Sequence, residues 1–342
     1  MKTLEEIVTQ AVRQRGKLKP GVGLCVGVFK EGEPEVFAFG DGIGGGRPGG
    51  GSFFEIGSVT KVFTATLLAD MVRANLVKLD DPVQTLLPMD VRLTEPKMTL
   101  LHLATHTSGL PRLPGNLGRS AKNPENPYAH YGEPELFAFL NGHKLERGWF
   151  GRYRYSNLGV GLLGHLLARK LGLSYEQAIC QRICAPLDLQ DTVITLADAQ
   201  RARLMPPRTA GGAAATNWDF QALAGAGALR STPDDLLRFL AANLGYTEQP
   251  LKLALQDCHY SHLKDFGQEV GLCWHLYPFA NNKWNVWHNG ATGGYQSYVG
   301  FEKERSVAVA VLVNCGPSLL GSLFGGLADK VGGKILGDLT GK

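Results

Sequence analysis

The chain has 342 residues, 44% of them hydrophobic, with 35 basic and 31 acidic side chains. That is ample for a large core, and a net charge of +4 without any Lys/Arg run argues against a nucleic-acid partner. A membrane helix needs about 18 unbroken apolar residues; the nearest stretch, Ser306 to Ala328, is interrupted by Asn314-Cys-Gly-Pro317.

Six cysteines (Cys25, Cys180, Cys184, Cys258, Cys273 and Cys315) form no Cys-x-x-Cys pair and read as reduced core thiols, which suggests a reducing compartment. The segment Met1 to Val8 reads as an amphipathic helix start, with neither an apolar signal region nor a cleavage site. The expectation is a soluble chain, cytoplasmic as written, or periplasmic or secreted if an export signal has been removed.

In chain order, Thr3 to about Arg15 reads as an amphipathic helix. Gly21–Phe29 and Glu35–Phe39 read as strands joined in a hairpin by the turn Lys30–Pro34. Gly40–Gly51 is a loop; it contains Gly40-x-Gly42-x-x-Gly45, but no helix follows directly, so no nucleotide and no other cofactor is implied. A long apolar helix then begins at Ser58. Leu76–Pro88 is a short connection and Met98–Thr105 a helix. Arg112–Tyr131, rich in Pro, Asn and Gly, is a long loop of the kind that often forms a binding wall. Glu133–Asn141, Leu158–Leu171 and Tyr175–Cys184 read as helices. Ser231-Thr-Pro-Asp-Asp235 starts another, through a hydroxyl cap, an early Pro and acids at the positive end, and it runs to about Asn243. Val270–Tyr277, Lys283–His288, Gln296–Phe301 and Ser306–Asn314 read as strands, and Leu319–Leu336 as a closing helix.

Strands at both ends and helices between predict an α+β fold: an antiparallel sheet built from the two termini, covered by the terminal helices. The expected division is a discontinuous sheet domain, 1–75 with 225–342, and a mostly helical inserted domain, 76–224.

Three stretches carry chemistry. Ser58 stands at the start of the apolar helix, and Lys61 lies one turn on along the same face. A buried ammonium tends to lose its proton, and a neutral amine beside a hydroxyl is a base beside a nucleophile. The plainer reading is a helix cap and a snorkelling lysine. A second Ser-x-x-Lys, Ser261–Lys264, has polar neighbours and reads as a solvated turn. Tyr155 and Asn157 precede the next apolar helix; they would either face a cleft or pack at a helix start. In Trp287-His-Asn-Gly-Ala-Thr-Gly-Gly-Tyr295, glycines allow close approach of a ligand; His288 would hold a carboxylate and the Ala291 N–H an oxyanion, or the segment is a plain hairpin turn. His102 and His106 have the spacing of a metal pair, but the Glu of His-Glu-x-x-His is absent, so they read as satisfied structural histidines and no metal is expected. No Gly-x-Ser-x-Gly occurs.

Ser58-x-x-Lys61, Tyr155-x-Asn157 and His288-Asn289-Gly290, in that order, resemble the penicillin-recognising serine hydrolases: class C β-lactamases, D-alanyl-D-alanine peptidases and family VIII carboxylesterases. Leu103–Pro111, Pro186–Thr192 and Gly225–Leu236 are similar to further stretches of that family, and the likeness covers roughly residues 15 to 315. The resemblance implies acylation of Ser58, proton work shared between Lys61 and Tyr155, and an oxyanion hole from the N–H groups of Ser58 and Ala291. It also implies that Asn157 orients Lys61 and the acyl side chain, and that the His288-Asn289-Gly290 strand binds substrate. The third motif departs from the Lys-Thr-Gly of many β-lactamases, and a histidine grips a carboxylate less firmly near neutral pH. The expected activity is that of a serine hydrolase on β-lactam or D-alanyl amides, with a carboxylesterase on small esters as the alternative. A catalytically silent binding protein is the alternative of another class. The expected partner is a small molecule.

Overall fold

In the computed structural model, which describes residues 2–120, 123–246, 251–265, 267–279 and 283–341, the chain ends meet in one sheet. The helices are α1 (Leu4–Arg13), α2 (Thr60–Arg73), α3 (Leu100–Ala104), α4 (Leu117–Ser120), α5 (Glu133–Gly142), α6 (Asn157–Leu171), α7 (Tyr175–Ile179), α8 (Asp198–Arg201), α9 (Pro233–Leu244), α10 (Lys252–Asp257), α11 (Leu319–Phe324) and α12 (Leu327–Thr340). The strands are β1 (Gly23–Lys30), β2 (Glu33–Gly40), β3 (Phe54–Glu55), β4 (Arg230–Ser231), β5 (Leu263–Asp265), β6 (Gln268–Val270), β7 (His275–Phe279), β8 (Lys283–Ala291), β9 (Gln296–Glu302) and β10 (Val307–Val313). Eight strands pair in the order β2-β1-β10-β9-β8-β7-β6-β5, and each neighbouring pair is antiparallel. The α+β architecture with helices between the terminal strands is as the sequence led one to expect.

The near-continuous apolar runs of β1 and β10 have a simple cause: both faces of the sheet centre are covered. Leu24, Val26 and Val28 face one way with Val307, Val309, Val311 and Val313, against α1 and α12. Cys25 and Phe29 face the other way with Ala308, Ala310 and Leu312, toward the core that contains α2, α6 and α9. The period of two along each strand sorts its side chains between these cores.

Several elements differ from expectation. Val270–Tyr277 is two strands, because the chain turns at 271–274, where Cys273 has φ 58°. The Ser261–Lys264 segment is no solvated turn throughout: Leu263–Asp265 forms the outermost strand, paired with β6. The closing helix breaks at Gly325–Gly326 into α11 and α12. Cys180 and Cys315 are half-buried rather than core, although all six thiols are free. No helix among the described residues is long and apolar enough to cross a membrane.

Candidate active site

The start of α2 is clamped before the helix begins. Ile56 carbonyl accepts from Ser297 Oγ of β9 at 2.7 Å. Gly57 has φ 49°, and a Cβ there would lie 2.8 Å from the backbone N and O of Ala291, so a side chain is excluded on two counts. A short 3₁₀ turn, Gly57–Val59, carries Ser58 into α2. Its hydroxyl remains half-buried while α2 is covered on nearly every face.

Lys61 is fully buried. Its Nζ donates to Ser58 Oγ at 2.9 Å and to the Ala226 carbonyl at 2.6 Å. Thr60 and Thr64 hold the segment that carries it from the same helix, with Leu229 N donating to Thr60 Oγ1 at 3.1 Å and Thr64 Oγ1 donating to Gly225 O at 2.8 Å. Among the described residues no carboxylate pairs with the amine. Burial therefore lowers its pKa from 10.5 to about 7, with Cys273 opposing slightly and Arg112 assisting. The snorkelling-lysine reading of the sequence is excluded by this burial.

Tyr155 ends the loop that enters α6. Its ring lies 5.1 Å from Lys61 Nζ. Burial pushes the phenol up, well past the usual range; the Ser58 side chain and the Arg112 charge pull the other way. The phenolate is therefore disfavoured, because desolvation outweighs the neighbouring charges. The ring is held by His106, whose imidazole lies tilted against it with centroids 4.5 Å apart. The His106 carbonyl accepts from Arg154 N at 2.8 Å, and its Nδ1 accepts from Ser156 N at 3.1 Å. One residue thus grips both chain neighbours of Tyr155. That Nδ1 bond fixes the proton on Nε2 of a neutral ring, and burial keeps the ring neutral. His106 is thus part of the site wall rather than a remote structural histidine; its Nε2 has no partner among the described residues. His102 behaves as expected, with Nδ1 on Thr99 Oγ1 at 2.7 Å. Among the described residues no group of three or more His, Cys, Asp or Glu side chains is placed to hold a metal ion.

Strand β8 forms the facing wall. Pairing with β7 ends at His275↔Trp287, so residues 288–291 have one open edge. Thr292 N donates to Tyr295 O at 3.1 Å, toward β9; alternation along the strand then aims the Ala291 N–H at the open edge. Gly290 packs there, since a Cβ on it would lie 2.1 Å from Ile56 O and 2.8 Å from Ser58 N. The N–H groups of Ser58, free at a helix start, and of Ala291 thus flank one close contact. The Asn289 side chain belongs to the other face of the sheet, where it favours the charged form of Asp329 on α12. It therefore lies outside the pocket.

His288 does not act as an exposed cation. It is fully buried, its Nδ1 lies 2.6 Å from the Asn289 carbonyl, and its ring is 5.1 Å from that of His275. Burial, His275 and Lys61 hold it well below the ordinary imidazole range. Asn157, half-buried, approaches Tyr128 through Nδ2 at 3.4 Å rather than Lys61, and its Oδ1 has no partner among the described residues. The cap of α6 is Ser156, whose Oγ accepts from Gly159 N. Tyr128, in the long loop, stacks on Phe220 at 4.4 Å beside Asn157.

The sequence reading missed His106, Arg112, His275 and the Ala226 carbonyl as parts of the site. His106 carried one available signal: it lies inside the Leu103–Pro111 stretch already similar to the family. A backbone carbonyl offers none.

A family model described as Beta-lactamase matches residues 8–322. The chain is 29% identical over 288 residues to the D-alanyl-D-alanine-carboxypeptidase/endopeptidase AmpH of Escherichia coli (strain K12), covering 79% of this chain and 73% of that one. It is 26% identical over 353 residues to a beta-lactamase of Pseudomonas fluorescens, covering 91% and 93%. In fold it is similar to a class C beta lactamase from Rhodobacter sphaeroides, with TM-score 0.84 at 21% identity, over 99% of this chain and 100% of the other. Agreement over nearly the whole length in both sequence and fold makes the chain a serine hydrolase of the beta-lactamase family.

Proposed function

We propose that the chain hydrolyses β-lactam or D-alanyl amides through an acyl-Ser58 intermediate. One observation carries this reading: Lys61, buried and held near pH 7, lies 2.9 Å from Ser58 Oγ. When neutral, the amine accepts the Ser58 proton as Oγ attacks the carbonyl carbon. The N–H groups of Ser58 and Ala291 hold the resulting oxyanion. As the C–N or C–O bond breaks, the Tyr155 phenol gives its proton to the leaving group and regains one from the Lys61 ammonium. Water then attacks the ester, and the same proton path runs in reverse.

The AmpH and beta-lactamase relatives support the amide substrates. The neutral, buried His288 favours the second reading, a carboxylesterase on small esters, because it leaves the third motif without a cation for a substrate carboxylate. Six free thiols support a reducing compartment for the chain as written.

The test is intact-mass analysis after exposure to a penicillin and to a fluorophosphonate, beside turnover of nitrocefin and p-nitrophenyl butyrate. A stable adduct lost in Ser58→Ala is expected. Nitrocefin turnover alone selects the lactamase reading and butyrate turnover alone the esterase. No adduct and no turnover from folded protein would leave a binding protein with this fold.

A further inference from the structure

We propose that Arg112 is the binding group for a carboxylate on the substrate, the role that the third motif cannot fill here. The proposal rests on the acyl-Ser58 reading and names the substrate class it takes: esters or amides that carry a carboxylate near the scissile bond.

Arg112 is exposed, and its guanidinium carbon lies 5.1 Å from the centroid of the Tyr155 ring. Its own carbonyl accepts from Asn157 N at 3.0 Å and Leu158 N at 3.3 Å, so the residue is anchored at the head of α6. Among the described residues no carboxylate pairs with it. Its charge also acts on Lys61, His106, Tyr128, Tyr153 and Tyr155, the groups around that ring.

The other cations are disqualified one at a time. Lys61 is buried and engaged with Ser58 and Ala226. Arg154 pairs with Glu146 at 3.0 Å. His288 and His275 are buried neutral rings. No carboxylate is among the groups that shift Lys61, Tyr155, His106, His275 or His288, and Asp265 nearby accepts from the Tyr153 N–H at 2.9 Å. A solvent-reached guanidinium over the Tyr155 ring offers a planar fork that matches a carboxylate.

The same guanidinium could instead serve only to hold the Tyr155 ring by cation–π contact. Substrate charge separates the two. Three esters are compared: p-nitrophenyl butyrate, mono-p-nitrophenyl glutarate with the carboxylate on the acyl side, and 3-carboxyphenyl butyrate with it on the leaving side. For each charged ester kcat/KM is divided by that of the neutral ester. In Arg112→Gln the ratio for one charged ester falls about tenfold, chiefly through KM, as expected of a charge-assisted hydrogen bond at a wet site. Arg112→Lys keeps most of the ratio. The affected ester tells on which side of the scissile bond the carboxylate sits. An equal loss on all three esters, or no change in either ratio, overturns the proposal. Absence of Ser58-dependent turnover on every ester by the wild-type chain would instead sink the acyl-serine reading.

Discussion

Replacing Lys61 by Met should abolish turnover and, at low pH, make the protein more stable. The folded state holds the amine near 7 against 10.5 when free, which corresponds to roughly 5 kcal/mol of disfavoured charge. Below about pH 7 the amine is protonated in both folded and unfolded chains, and that penalty is fully present. Between about 7 and 10.5 the unfolded chain keeps the proton that the folded chain has lost. Wild-type stability therefore rises with pH across that window, by up to about 1.4 kcal/mol per pH unit. Met has no such proton. It removes the partner of the buried Ala226 carbonyl, now bonded at 2.6 Å, a loss of about 1–3 kcal/mol. The difference puts Lys61→Met roughly 3 kcal/mol above wild type near pH 6 and brings the two level at roughly pH 9. Urea unfolding of both proteins at several pH values measures it, with rates checked alongside. A variant less stable than wild type at about pH 6, or a difference flat with pH, would refute the idea of a buried amine that loses its proton near neutrality.

The same proton should govern the rate: kcat/KM is expected to rise as pH passes through about 7. It should then stay level into the alkaline range because Tyr155 remains a phenol there; a pH profile with its midpoint near the ordinary lysine value would contradict this. Gly290→Ala forces a Cβ to within 2.1 Å of Ile56 O and 2.8 Å of Ser58 N, so a fall in kcat on the order of 10²-fold is expected. Its loss of stability should be about 1–3 kcal/mol, and unchanged kinetics would show that this contact does not set the position of Ser58. His106→Ala should lower kcat with KM little altered. His106→Asn should recover part of the loss, since Asn adopts the left-handed backbone that His106 has at φ 59° and offers an acceptor to Ser156 N; equal kcat in the two variants would remove His106 as the support of Tyr155.

What could be read from the sequence and what could not divide along physical lines. Ser58 and Lys61 were legible because three residues on a helix is a fixed distance, and a covered helix leaves the amine nowhere wet to go. The sheet was legible because β1 and β10 announce themselves by apolar runs that only a strand with both faces buried can afford. By contrast β5 and β6 are three residues each at the sheet edge, mostly polar, and their pairing rests on neighbours far from any local signal. How residues 288 to 291 divide between the two faces was not legible, for a related reason. Which face of a strand holds His288 and which holds Asn289 depends on register, and register is a property of two strands at once.

The third motif shows why a residue type carried over by resemblance does not carry its charge. A lysine at the position of His288 would bring a cation on a long flexible stem; a histidine there is short, and the chain has closed His275 and Tyr155 around it. Its Nδ1 turns back to its own strand. The imidazole is then one more wall of a dry pocket, and the dryness that lowers its pKa is the same dryness that brings Lys61 to about 7. The two outcomes are linked: a charged group at 288 would repel the Lys61 ammonium and lower its pKa further, whereas a neutral one leaves burial as the chief cause. If Lys61 is the base, as proposed, burial alone brings it near neutrality and no cation is needed at 288; recognition of a substrate's charge would then fall to the rim. Arg112 is the residue placed there.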